Sequence, residues 1–99
     1  MDASEVTYAV HQVLLQIQQR QSLGCPSLIG STRPLRELDK FDSPISIAAT
    51  GMIGRRLGIQ IPSEMNLFGD SKEAYSIDKT VGIISRLMEK QAATDKVDS

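Results

Sequence analysis

Asp42-Ser43-Pro44-Ile45-Ser46-Ile47-Ala48-Ala49-Thr50-Gly51-Met52-Ile53-Gly54-Arg55-Arg56-Leu57-Gly58 has the grammar of a helix with its start signal attached. A short polar side chain at Asp42 or Ser43 can accept from the unpaired amides of a first turn. Pro44 is tolerated there because the N–H it lacks would have had no intrahelical partner. Ile45, Ile47, Ala48, Ala49, Met52, Ile53 and Leu57 supply the apolar content, and the helix is expected to end at about Gly58. Gly51 and Gly54 each cost about 1 kcal/mol of helix propensity against alanine, so tertiary packing must offset them.

Upstream, Val6, Ala9, Val10, Val13, Leu14 and Ile17 recur in steps of three and one, which lays an apolar stripe along a first helix ending near Ser22. Asp2 and Glu5 have capping-box-like spacing and Ser4 is a second candidate cap, while Gln12, Gln16, Gln19 and Arg20 form a polar outer face. Gly24, Pro26, Gly30 and Pro34 exclude one regular helix between the two. Leu23, Leu28, Ile29, Leu35, Leu38 and Phe41 in the same stretch predict a long loop pinned to the core.

Downstream, Ile59-Gln60-Ile61 before Pro62 reads as an extended connector, followed by a short helix around Glu64 to Phe68 and a polar turn at Gly69 to Glu73. Ser76 can cap a last helix whose inner face carries Ile77, Val81, Ile84, Leu87 and Met88, with Asp78 and Lys90 placed to suit its macrodipole. Its end is expected near Gln91, with 92–99 as a flexible tail. The sum is an all-α fold, one domain over 1–91. It is a small four-helix bundle of three main helices, a short third helix and a long first loop.

Composition narrows the function. A chain of 99 residues, 40% hydrophobic and 23% charged, supports one modest core and no cleft between two enzyme domains. A net charge of -1 gives no general attraction to nucleic acid or to an anionic membrane, and the apolar runs are too short for a membrane span. Cys25 has no disulfide partner, and with His11 as the single histidine no conventional Cys/His zinc site or other metal centre is expected. Met1-Asp2-Ala3-Ser4-Glu5 lacks the basic start and apolar core of a secretory signal, so a cytoplasmic location is expected. His11 reads as a solvated helix residue, and nothing basic adjoins Cys25 to activate it. No catalytic constellation is present in the sequence.

Two segments carry a more specific signal. Leu38-Asp39-Lys40-Phe41-Asp42-Ser43 precedes the second main helix, and Leu57-Gly58-Ile59-Gln60-Ile61-Pro62 follows it. Together they resemble the Leu-Gly-hydrophobic-Asp-Ser motif and the Ile-Pro connector of the acyl carrier protein family, a resemblance that covers roughly residues 5 to 90. It implies a bundle of acyl-carrier type whose Ser43 hydroxyl is esterified by 4'-phosphopantetheine, delivered from coenzyme A by a phosphopantetheinyl transferase, with Asp42 accessory to that attachment. The thiol of the arm would then hold an acyl group as a thioester. The start of a helix suits the attached phosphate on physical grounds, since its partial positive charge favours an anion.

The resemblance further implies an acyl cavity lined by Val10, Leu14, Ala49, Ile53, Ile84 and Leu87, and a partner-facing side made of Pro44, Ile47, Ala48, Gly51 and Arg55. The implied partners are acyl-transferring or synthase enzymes of a dedicated lipid, polyketide or related biosynthetic pathway, and the carrier itself catalyses nothing. The chain departs from the family at Pro44, where an apolar side chain such as leucine is usual. It also lacks any acid over 43–63, where Arg55 and Arg56 stand instead, which points away from standard fatty-acid synthase partners. The apolar outer face of this helix suggests a dedicated partner or weak self-association, unless the long loop folds over it.

Two other readings stay open at this level. One is a carrier-like helical interaction module without a prosthetic group, with Ser43 serving only as a helix N-cap. The other rests on Gly51-Met52-Ile53-Gly54, a GxxG of the kind with which KH loops grip a nucleic-acid backbone, although its middle residues are apolar.

Overall fold

The computed structural model describes residues 3–25 and 27–98, with side chains described as far as residue 92; the candidate cap Asp2 lies outside this range. Helix α1, Ala3–Arg20, buries Val6, Ala9, Val10, Val13, Leu14 and Ile17, the residues of the predicted stripe. Helix α2 is Pro34–Glu37, α3 is Ser43–Leu57 and α4 is Ile77–Asp98. No strand occurs among the described residues, and one isolated antiparallel bridge joins Gly69 to Ala74. The fold is all-α. Helix α1 packs against both α3 and α4, so the buried stripe of α1 is the surface on which the bundle is assembled.

Three expectations need correction. The short helix placed at Glu64 to Phe68 is absent, and that segment forms turns. Two of its backbone amides are taken by side chains: Leu67 N–H donates to Thr50 Oγ1 at 3.0 Å and Phe68 N–H to Asn66 Oδ1 at 2.9 Å. A helical ladder cannot use the same donors. The short helix of the fold is instead α2, inside the long loop, where Pro34 occupies the first turn and Arg33 N–H donates to Glu37 Oε2 at 2.6 Å. Helix α4 also passes the expected end near Gln91 and continues to Asp98, so residues 92–98 of the expected tail are helical. That stretch contains neither glycine nor proline to stop it. Ser99 lies outside the described residues.

The long loop is pinned as predicted, although not over α3. Leu38 and Phe41 are buried, and the Phe41 ring meets Phe68 edge-on at 5.3 Å between centroids and 86° between planes. At its other end the loop serves α4. Ile77 N–H donates to the Thr32 carbonyl and Asp78 N–H to the Gly30 carbonyl, both at 2.9 Å, while Ser76 Oγ accepts from Lys79 N–H at 3.2 Å. Loop and cap together satisfy donors that the first turn of any helix leaves unpaired.

The end of α3 is equally determined. Gly58 has a left-handed φ of 68° and closes the helix with its N–H on the Gly54 carbonyl, which also accepts from Ile59 N–H at 3.0 Å. A Cβ at Gly54 would sit 3.2 Å from Ile61 Cδ1 and 3.3 Å from the Ile59 carbonyl, so this glycine lets the connector lie close against the helix. Gln91 of α4 holds the same connector with two bonds, accepting from Gln60 N–H at 3.0 Å and donating to the Gln60 carbonyl at 2.6 Å. The extended Ile59-Gln60-Ile61 thus pairs with a side chain in place of a neighbouring strand.

Candidate functional site

Ser43 is the first residue of α3 and is exposed. Asp42 is the N-cap: its backbone is extended, at φ -98° and ψ -176°, and its Oδ1 accepts from Ile45 N–H at 3.2 Å. The capping role weighed for Ser43 therefore belongs to Asp42. Among the described residues the Ser43 hydroxyl makes no hydrogen bond. The Ser43 carbonyl accepts from Ser46 Oγ at 2.9 Å.

The donors of this turn can be counted group by group. Pro44 has no N–H, Ile45 N–H goes to Asp42, and Ser46 N–H goes to the Asp42 carbonyl at 2.8 Å. Only Ser43's own N–H remains available for an anion on its side chain. An anion on the Ser43 side chain would meet this one backbone donor and the positive end of a helix of 15 residues.

The turn is aimed from behind by residues that the sequence pattern passed over. Gln18 is fully buried in α1, and its Nε2 donates to the Asp39 carbonyl at 3.2 Å, anchoring the chain three residues before Asp42. Lys40 then takes a left-handed φ of 56°, which turns the backbone so that Phe41 enters the core and Asp42 and Ser43 emerge at the surface. Asn66 approaches from the far side, donating from Nδ2 to Ser46 Oγ at 2.6 Å. A glutamine inside an apolar stripe and a serine one turn inside the helix were the available signals.

The residues assigned to a partner face are all at the surface: Pro44, Ile47, Ala48, Gly51 and Arg55 are exposed, and Ile47 leaves 42% of its surface accessible. The long loop does not cover them. Of the residues assigned to an acyl cavity, Val10, Leu14, Ala49, Ile53 and Ile84 are fully buried in the common core. Leu87 is half-buried and lines a surface groove at the far end of α3 with Gly58, Ile61, Pro62 and Lys90.

The remaining candidates fall outside this arrangement. Gly51-Met52-Ile53-Gly54 is helical, so the loop geometry of a nucleic-acid-gripping GxxG is not formed. His11 is half-buried with its Nε2 enclosed and unpartnered, where a solvated ring was expected. Burial pushes the Cys25 thiol up, away from thiolate chemistry. Among the described residues no cluster of His, Cys, Asp and Glu could hold a metal ion, and no helix is long and apolar enough to cross a membrane. The chain matches no family model, no curated protein and no solved structure.

Proposed function

We propose that this protein is a carrier in which Ser43 bears 4'-phosphopantetheine and presents acyl groups to other enzymes, without catalysing a reaction itself. The observation that carries the reading is the exposed Ser43 hydroxyl, free of internal bonds, one residue after a capping aspartate at the start of a long helix. Lys40 adds support. Counted back from Asp42-Ser43 it occupies the position of the glycine in the family motif, with Asp39 where the motif has leucine, and it has the left-handed φ that a glycine adopts readily.

Each residue of the turn has a defined part. Asp42 fixes the first turn through Ile45, and as an exposed carboxylate it is accessory to attachment by a phosphopantetheinyl transferase. Ser43 would offer the oxygen that attacks the pantetheine-bearing phosphorus of coenzyme A, its proton passing to the transferase and the P–O–P bond breaking to release adenosine 3',5'-bisphosphate. Ser43 N–H is the backbone donor left for the phosphodiester formed. The arm, when bound, supplies a thiol that holds cargo as a thioester. A tethered cargo reaches a docked active site at high effective concentration, so weak docking suffices. The exposed face of Pro44, Ile47, Ala48, Gly51 and Arg55 is the docking side for acyl-transferring or synthase enzymes, with Arg55 in place of the acids such partners commonly read.

One observation favours a second reading, a helical interaction module without the arm: Pro44 and the Asp42 cap leave the turn a single free backbone donor. Labelling separates the two. Incubation with a fluorescent coenzyme A analogue and a broad-specificity transferase should label the wild-type chain and leave Ser43→Ala dark. A folded wild-type protein that stays dark with several transferases favours the interaction module.

A further inference from the structure

The inward side of α3 changes character along its length. Its first two turns bury Ser46 and Thr50 beside the core residue Ala49, and Ile53 follows one turn on. These hydroxyls belong to a continuous polar seam. Ser46 Oγ donates to the Ser43 carbonyl at 2.9 Å and accepts from Asn66 Nδ2 at 2.6 Å. Thr50 Oγ1 donates to the Ser46 carbonyl at 2.9 Å and accepts from Leu67 N–H at 3.0 Å. From α4, the buried Thr80 hydroxyl donates to the Leu67 carbonyl at 2.8 Å. The seam therefore runs from the turn that carries Ser43, through Leu67, into α4.

Its position bears on what the carrier can hold. A hydrocarbon tail passing inward from Ser43 between α3 and α4 must part the bonds that cross between elements, Asn66 to Ser46, Leu67 to Thr50 and Thr80 to Leu67. Buried hydroxyl and amide groups are then left without partners, a state that is strongly disfavoured. Behind the seam, Ala49, Ile53 and Ile84 already fill the space at 0% exposure. The groove beside Leu87 and Ile61, which Gln60, Lys90 and Gln91 also line, opens at Gly58, the opposite end of α3, roughly 20 Å away by helical rise. Resting on the carrier reading, we infer that the seam of Ser46, Thr50, Asn66 and Thr80 determines specificity for acyl groups without a long hydrocarbon tail, which ride outside the helical core.

The test uses the full chain loaded at Ser43 with acetyl-, octanoyl- or dodecanoyl-pantetheine in amide-linked form, each load verified by intact mass. The expected result is one melting temperature for all three, with the Ala49 and Ile53 methyl resonances unmoved. A melting temperature that rises with tail length, or movement of those resonances with the dodecanoyl load, overturns the inference while leaving the carrier reading in place. A mass that shows no arm on Ser43 overturns both.

Discussion

Gly51 and Gly54 stand one helical turn apart in α3 yet answer to different constraints. A Cβ at Gly51 meets nothing within 4 Å, whereas one at Gly54 presses on Ile61 and on the Ile59 carbonyl. Gly51→Ala is therefore expected to recover most of the helix-propensity difference, about 1 kcal/mol, and Gly54→Ala distinctly less; urea unfolding of the two variants measures the gap. A second residue-scale expectation concerns Asp70. Its carboxylate accepts from Lys72 and Glu73 N–H groups at 2.8 Å and from the Tyr75 hydroxyl at 2.9 Å. The Lys72 amide, then Tyr75 and Glu73, hold the carboxyl below its ordinary value, and the bond to Asp70 pushes the Tyr75 phenol up. Above the ordinary carboxylate range the Asp70 bonds contribute fully, and they are lost as pH falls through the lowered value; the Tyr75 contribution holds below the ordinary phenol range and fades as pH rises through the raised one. Asp70→Asn should bring the Tyr75 phenol back towards its ordinary titration, which NMR of its ring protons follows; an unmoved titration contradicts the pairing.

The starts of α3 and α4 were legible because a cap is a local device, whereas α2, which has no side-chain cap, was not. Asp42 and Ser76 each sit beside the amides they accept from, so the sequence around them is sufficient evidence. Asp42→Ala should cost about 1 kcal/mol in urea unfolding, while Asp42→Asn keeps the acceptor and most of the stability. The segment after Pro62 was not legible for the opposite reason. Its amides and carbonyls are claimed by Thr50 and Thr80 on separate helices, partners that no local periodicity reveals. Thr80→Val removes the donor to the Leu67 carbonyl at nearly constant shape. It should cost about 1–3 kcal/mol, because a buried acceptor is left without that partner. A cost near zero would mean that the seam does not hold the loop. The same distinction divides the candidate site: Asp42 and Ser43 lie in a local helix-start signal and in the segment that carries the family resemblance, which also implies the outer face of α3, whereas Gln18 and Asn66, which position the turn, act across 21 and 20 residues of chain.

At the scale of the whole molecule, α1 carries α3 and α4 on its buried stripe, the long loop ties into the start of α4, and Gln91 ties the connector after α3 to the later part of α4. These ties leave the Ser43 turn and the outer face of α3 uncovered at the surface. The described fold thus stabilises a core on one side and presents a serine with an adjoining, largely apolar face on the other, the arrangement on which the carrier proposal rests. The most direct test is the intact mass of the protein before and after incubation with coenzyme A and a phosphopantetheinyl transferase, with Ser43→Ala alongside. The carrier account predicts a single phosphopantetheine addition in the wild-type chain and none in the variant. An unchanged mass in a folded wild-type protein, or an addition that survives in Ser43→Ala, would contradict it.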